Sequence, residues 1–514
     1  MRMKTGDLSS ERLKKGPLLT RPVHDEELLK AWLWMPFTRA GSARLGQDNS
    51  LSSLYKVHFI IGHAIVCPDL RDEIYCQICK QILRNPSRRS AANGWFLLAL
   101  CTGVFTPSER LLQPLRGFIR SGPSEFSQLC LRRLERTYQN GVRSQPPSWM
   151  ELRATRLKSY IPLSVTCMDG RNYTILADSA TTAGEICRAL ATLLNLIDHF
   201  GFSLYIGVLD KISSLGNSMD HLMDAISQCE QYALKKGSRN SSLRWHLYFR
   251  KEIFAPWHDP AIDPVATTLI YYQVIRGLVK GEYRCDKKSI LTFLLACKYY
   301  TETYELINVE TGELNTQLYE IRSWLATHNC PWVKNVVEWA KQIVEVLRTH
   351  NLFAYPRDAN RVQQEVVRLA QDQWPLFFSR FHEAKQFTGP SIYFEEVIVA
   401  LNDTGLYITN NQQKLIRRLL FPEIYCITTS DPQGSQNKLL TVTTVCGVEY
   451  TLLARTAEEK CHLLVTFLTG LKERSGYAVA IRDFNQSPGT CFRNGAVNSA
   501  PMIEICIFPS VKLR

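Results

Sequence analysis

The hydrophobic period of this chain switches repeatedly, and each switch falls at a break rich in Pro, Gly or polar residues. Up to about residue 150 the apolar residues recur at helical spacing, in VHFIIGHAIV (57–66), LRDEIYCQICKQIL (70–83), GWFLLALCTGVF (94–105) and SEFSQLCLRRLERTY (124–138). Polar breaks (NPSRRS, TPSER, RSGPSEF) separate them, so an all-helical bundle is expected. At GVRSQPPSWMEL (141–152) paired prolines stop any helix and the period drops to two. SYIPLSVTCMDGRNYTILAD (159–178) reads as two strands about an Asp169-Gly170 turn. A helix capped by Thr181 or Thr182 follows, then FSLYIGVLD and WHLYFRKEIF as strands, the pattern of a ubiquitin-like β-grasp lobe. From about 256 to 385 helical spacing returns in DPVATTLIYYQVIRGLVKGEY, SILTFLLACKYYTETY, WVKNVVEWAKQIVEVLRTH and NRVQQEVVRLAQDQWPLFFSRFHEA. Beyond Gly389-Pro390, short alternating segments and a final amphipathic helix (456–475) describe a pleckstrin-homology-like barrel closed by one helix.

The expected fold class is therefore multidomain α+β. A helical domain spans 1–150, a β-grasp lobe 155–255, a helical lobe 256–388, a barrel lobe 389–483 and a divergent tail 484–514. Nowhere do 18 uncharged apolar residues run together, and the polar N-terminus lacks a signal-peptide core, which predicts a cytoplasmic protein. Cysteines such as Cys187, Cys297 and Cys461 are scattered without the density of a disulfide framework and read as reduced core residues. The formal charge of +13 is uneven: residues 1–150 hold 22 Lys and Arg against 12 Asp and Glu, leaving +3 for the remainder. That asymmetry points to an acidic partner for the first segment.

No motif for catalysis emerges. Cys76 and Cys79 have the C-x-x-C spacing of a zinc or redox pair, but no second pair stands at zinc-finger spacing, and core packing is the preferred reading over metal. The phosphate-cradling G-x-x-x-x-G-K-[ST] loop is absent, so no ATPase motor resides in this sequence, and neither His382-Glu383 nor His24-Asp25 fits a catalytic arrangement. No cofactor is expected. The densest basic groups are Arg84, Arg88 and Arg89, and Arg132, Arg133 and Arg136, with Arg143 nearby. A solvated helix face is the plain reading, and docking of an acidic partner is the functional one. Nucleic acid is disfavoured, because aromatics do not interleave with the arginines.

Particular strings carry a resemblance. LYKVHFIIGHAIVCPDLRDEIYCQICKQI, GWFLLALCTGVFTPSERLLQPLRGFI and NGVRSQPPSWMEL resemble the myosin tail homology four domain. FGFSLYIGVLDKISSLG, MDAISQCEQYA, WHLYFRKEIFAPWHDP and WPLFFSRFHEAKQFTGPS resemble the FERM domain that follows it in class VII myosins. The chain departs from that pattern between Trp34 and Leu54, where the family carries further helices, and after Asp483, where the family continues into a Src-homology-three domain. A truncated or alternatively spliced product, or a faulty gene model, would account for both.

The resemblance implies a cargo-binding tail, without the motor, in which protein adaptors or cytoplasmic tails of membrane proteins dock. Tubulin is the implied acidic partner, actin is reached only through a motor domain elsewhere, and RWHLYFRK (244–251) could meet anionic lipid. Localisation to the cytoskeleton of microvilli or stereocilia follows from the same likeness. A motor-less FERM linker between membrane and cytoskeleton is the alternative. In barrels of this kind a strand edge beside the C-terminal helix accepts an extended peptide. The expected site is VEYTLLA (448–454) with the helix face bearing Cys461, Leu464, Val465 and Leu468, and with Glu449 and Lys460 at the rim.

Overall fold

The computed structural model describes residues 49–208, 211–235, 245–280, 287–303, 314–328, 333–349, 359–389, 396–410, 415–431, 438–454 and 457–474. The N-terminal 48 residues and the 484–514 tail lie outside them. The described residues fall into two compact units, one up to 196 together with 202–250, the other 197–201 together with 251 onward.

The first unit opens with helices α1 (Asn49–Val66), α2 (Arg71–Ile82), α3 (Arg88–Thr102), α4 (Glu109–Arg120), α5 (Ser124–Asn140) and α6 (Trp149–Leu157). Serines at the breaks act as caps: the hydroxyls of Ser87, Ser108 and Ser148 accept the backbone N–H three residues on. Ile61, Tyr75, Leu98, Phe105, Ile119 and Leu134 fill the core. The Tyr75 hydroxyl, which cannot be buried unbonded at low cost, donates to the Phe105 carbonyl at 2.6 Å. Two of these helices escape the periodicity: α4 contains Pro114, which reads as a break, and α6 starts on the Pro-Pro-Ser run itself.

The β-grasp part comprises β1 (Ile161–Cys167), β2 (Asn172–Ala177), α7 (Ala183–Leu194), β3 (Phe202–Val208), β4 (Lys211–Gly216), α8 (Leu222–Lys235) and β5 (Trp245–Lys251), in sheet order β2-β1-β5-β3-β4. β1 runs antiparallel to β2 and parallel to β5, with Val165 opposite Leu247. Gly170, at φ +90°, makes the expected turn between β1 and β2. Of the two candidate caps, Thr182 is the one used, in a reciprocal capping box with Glu185.

The second unit holds α9 (Pro264–Val279), α10 (Lys288–Thr303), α11 (Leu314–His328), α12 (Val336–Thr349) and α13 (Ala359–Gln373). Asp263 caps α9 and also accepts the backbone N–H groups of Ile197 and Asp198 at 2.7 and 2.9 Å, tying the 197–201 segment to this unit. The stretch read as helical to residue 384 ends as a helix at Gln373, because Pro375 cannot continue it, and Arg380–Thr388 is instead the first barrel strand, β6. β7 (Glu396–Leu401), β8 (Gly405–Thr409), β9 (Leu415–Leu420), β10 (Ile424–Ser430), β11 (Lys438–Thr444) and β12 (Glu449–Ala454) follow, and α14 (Ala457–Arg474) closes the lobe. The seven strands are ordered β10-β11-β12-β6-β7-β8-β9 around a core of Val399, Ile408, Ile427, Val442, Leu464 and Phe467. Gly470 lets α14 approach Trp257 so closely that a Cβ there would lie 2.2 Å from the indole ring.

Candidate docking surfaces

The barrel places its open edge elsewhere than expected. β12, which carries VEYTLLA, is an interior strand: Val442 of β11 stands opposite Tyr450 on one side, and Gln386 of β6 stands opposite Leu452 on the other. Its backbone is already paired and has no free edge for a peptide. The strand at the end of the sheet on the α14 side is β10, which among the described strands pairs only with β11. α14 packs against both β10 and β11, and contacts near its two ends set it antiparallel to β10. At one end Lys438 pairs with Glu458 of α14 and, at 3.3 Å, with Asp431 just past β10. At the other, Phe467 lies 5.9 Å from Phe421, just before β10.

The chemistry of β10 suits strand addition. Its sequence, IYCITTS, contains no charge and no proline, the two devices that usually blunt an exposed edge. The opposite edge strand, β9, has exposed charge at Arg417 and Arg418, whereas a register irregularity is common to both edges, opposite Ile408 and Thr409 in β9 and between Ile424 and Cys426 in β10. Tyr425 is 52% exposed and Cys426 half-buried. None of these β10 residues was singled out from sequence, although the contrast in charge between LIRRLL and IYCITTS is visible there.

The predicted rim fares unevenly. Glu449 is exposed and accepts a hydrogen bond from Thr443 Oγ1 at 3.3 Å. Lys460 is not at a rim: it is 1% exposed, and its Nζ is buried without a hydrogen-bond partner among the described residues. Burial pushes its ammonium down to about 7, the neighbouring Glu459 opposing that shift only in part. Leu464 and Leu468 are core residues, as is Cys461, so the apolar face of α14 is spent on packing the barrel. His382 is likewise buried, and burial, Lys460 and Arg380 together hold its imidazole well below the usual range.

The basic groups of the bundle separate into two kinds. Arg84, Arg88 and Arg89 are exposed, the latter two on the first turn of α3, where the helix dipole is also positive. Arg133, by contrast, is 3% exposed and donates to the Ala99 carbonyl at 2.9 Å and to Thr155 Oγ1 at 2.7 Å, so it cannot meet an external acidic partner. Arg132 is half-buried, its guanidinium 4.3 Å from the centre of the Tyr160 ring. Arg136 already has an acidic partner within the chain: it clasps Glu185 through two bonds of 2.6 Å and reaches Asp178 at 3.1 Å. That bond holds the Glu185 carboxyl down at about 2.

The same segment explains the PPSW run. Arg143, fully buried, pairs with Glu151 and, at 2.8 Å, with Asp224 of α8, and the two carboxylates hold its charge against the cost of burial. Asp224 also accepts from the backbone of Ser144 and Gln145, Ser227 donates to the Pro146 carbonyl at 2.7 Å, and Trp149 N–H donates to Glu230 at 2.6 Å. The helical bundle and β-grasp part of the first unit are thus joined through residues 143–149. Cys76 and Cys79 lie on α2, with Cys79 against the bundle core and its thiol pushed up to about 11 by burial.

Comparison with known proteins agrees with this architecture. The MyTH4 domain family matches residues 57–154, the RA like domain family 159–253, and the Myosin-X FERM PH domain-like family 378–474. Myosin-VIIa of Drosophila melanogaster is 45% identical over 449 residues, covering 87% of this chain and 20% of its own length. Unconventional myosin-VIIb of Mus musculus is 39% identical over 436 residues, 85% of this chain and again 20% of the relative. The chain therefore spans about a fifth of the length of these relatives. Among solved structures, the human Myosin 7b C-terminal MyTH4-FERM domain in complex with harmonin-a PDZ3 superposes with a TM-score of 0.54 at 23% identity, covering 83% of this chain and 84% of that one. The Dictyostelium discoideum Myosin VII MyTH4-FERM MF2 domain gives 0.59 at 17%, covering 91% and 89%. A helical bundle joined to a β-grasp sheet and a helical lobe joined to a seven-stranded barrel follow the order of these family matches, and over most of its length the chain is similar to class VII myosins.

Proposed function

We propose that this chain is a cargo-docking tail module, a binder and not an enzyme, in which extended segments of protein partners add as a strand to β10 beside α14. The observation that carries the reading is the uncharged, proline-free edge of β10 flanked by a helix, since main-chain pairing supplies affinity there and α14 supplies a wall for side chains. The bundle to about residue 157, the β-grasp lobe of about 161–251, the helical lobe of about 264–373 and the barrel lobe of about 380–474 are the working domains of that module. Partners of the expected chemistry are adaptors and cytoplasmic tails of membrane proteins. The human relative's complex with a harmonin PDZ domain makes a PDZ-bearing adaptor a suitable first candidate. In a full-length myosin the module would couple such cargo to an actin-based motor in cell protrusions, and the exposed Arg84, Arg88 and Arg89 would add attraction for an acidic surface such as tubulin.

The test is capture of adaptor proteins by the full chain carrying Tyr425→Lys and Thr428→Lys, which place charges along the edge without touching the core. A drop of about tenfold or more relative to wild type is expected. Undiminished capture overturns the assignment of β10.

A further inference from the structure

The Ile424 end of β10 meets a turn whose chemistry is unusual for its place. β11 and β12 are joined by Val445-Cys446-Gly447-Val448, and the turn is closed by the Gly447 N–H donating to the Thr444 carbonyl at 2.9 Å and the Thr444 N–H donating to the Val448 carbonyl at 2.8 Å. Gly447 supplies the positive φ, +77°, that the turn requires. Turns at a surface are ordinarily polar, because their side chains meet water. This one is apolar: Val445 is 63% exposed, Val448 36%, and Cys446 is exposed between them. The Val445 N–H donates to the Glu423 carbonyl at 2.9 Å, which holds the tip against the start of β10, where Tyr425 is also exposed. Two exposed carboxylates, Glu423 and Glu449, border the tip in sequence and in space. Glu423 accepts from the Leu420 N–H at 3.1 Å and Glu449 from Thr443 Oγ1 at 3.3 Å, both neutral donors, and among the described residues neither carboxylate is paired with a lysine or arginine. Contiguous exposed apolar residues mark a contact surface. With an acidic rim, the group that fits this one is apolar and flanked by positive charge.

We propose that the tip formed by Val445, Cys446 and Val448, with Tyr425 beside it, receives an apolar anchor flanked by lysine or arginine at the C-terminal end of a partner segment that pairs with β10. The proposal rests on β10 being the docking edge and adds the chemistry of the segment that docks. All neighbouring strands of this sheet are antiparallel. A partner strand added in the same sense runs from the Ser430 end of β10 toward Ile424 and delivers its last residues to the tip. There Glu423 and Glu449 attract basic side chains and repel acidic ones. Exposed pairs of this kind are individually weak, so two attractions set against two repulsions separate a basic from an acidic segment by about tenfold at low salt, and the separation fades as salt screens it.

The experiment titrates the full chain, at low salt, with fluorescein-labelled, C-terminally amidated peptides. The first has a strand part of alternating Thr and Val that continues into Lys-Leu-Phe-Lys; the second ends instead in Glu-Leu-Phe-Glu; the third is the lysine peptide with its strand part N-methylated, so that it cannot pair with a strand edge. The expected result is about tenfold tighter binding of the lysine peptide than of the glutamate peptide, near-equal binding of the two to the chain carrying Glu423→Gln and Glu449→Gln, which keeps both hydrogen-bond acceptors, and at least tenfold weaker binding of the N-methylated peptide. Equal affinity of the lysine and glutamate peptides for wild type, with N-methylation still weakening binding, overturns the acidic rim and leaves the β10 docking edge intact. A lysine preference that persists in the double Gln variant overturns the assignment to Glu423 and Glu449. Undiminished binding of the N-methylated peptide overturns strand addition to β10, and binding of none of the three overturns both readings.

Discussion

Lys460 shows how a single side chain can be misjudged from its charge and correctly judged from its spacing. Ala457, Lys460, Cys461, Leu464, Phe467 and Leu468 form one stripe at the helical period, and all of them are buried. The burial of Lys460 was legible in the period of α14, and only the presumption that lysines seek solvent argued for a rim. A buried ammonium with no bonded partner costs free energy. Its folded value, about 7, lies below the unfolded value near 10.5, so the folded state resists the proton. Stability is accordingly lost as pH falls from about 10.5 to about 7 and stays level below that. Lys460→Met keeps the stem and removes the ammonium, and should stabilise the barrel lobe at pH 7 by on the order of a few kcal/mol, with the advantage shrinking toward pH 10. Thermal melts of both full-length chains at the two pH values check this. Equal melting temperatures at pH 7 would count against a buried, unpaired Lys460.

At the scale of elements, the contact between the bundle and the β-grasp part depends on the short run from Arg143 to Trp149. The sequence marked this run as a boundary, because two prolines end a helix. What it could not show is that the boundary is itself glued: Asp224 and Glu230 approach it from roughly 80 positions away, and such partners leave no local pattern. The same holds for Arg136, whose carboxylates lie beyond the boundary, whereas the burial of Arg133 was visible in its place on the stripe of Leu129, Cys130, Leu134 and Thr137. Arg143→Leu would leave Glu151 and Asp224 buried without their cation. The expected loss is about 3–5 kcal/mol, and the bundle should melt separately from the β-grasp part. Differential scanning calorimetry reads this directly, and a single unshifted transition would sink the idea that Arg143 holds the two together.

For the whole molecule, the succession of helical and strand periods was enough to give the order of architectures, since each period reports a buried face. It was not enough to name the free edge of the barrel. Strand order there is set by pairings such as β12 with β6, more than 60 residues apart, and local alternation is the same for an interior strand as for an edge. The charge excess of the N-terminal region divides similarly into arginines used inside the fold and arginines left outside. Replacing Arg84, Arg88 and Arg89 together by Glu should lower co-sedimentation with microtubules about tenfold at low salt, and wild-type binding should itself weaken as the screening length falls below about 10 Å. Retention of full binding by the triple variant would remove these residues from any acidic interface.

The assignment of residues 197–201 to the second unit has a practical consequence for anyone dissecting the protein. The chain enters that unit, leaves it and returns, so no single cut separates the two. A fragment starting at 251 would lack the Phe200 carbonyl that accepts from Lys251 Nζ at 2.8 Å, the Asp198 carboxylate 2.9 Å from His258 Nδ1, and the ring of Phe200 that meets Phe467 of α14. Such a deletion clone would misreport the binding of the barrel lobe through damage to its supporting helix, and exon skipping across the β-grasp region would strip the same supports from the retained half.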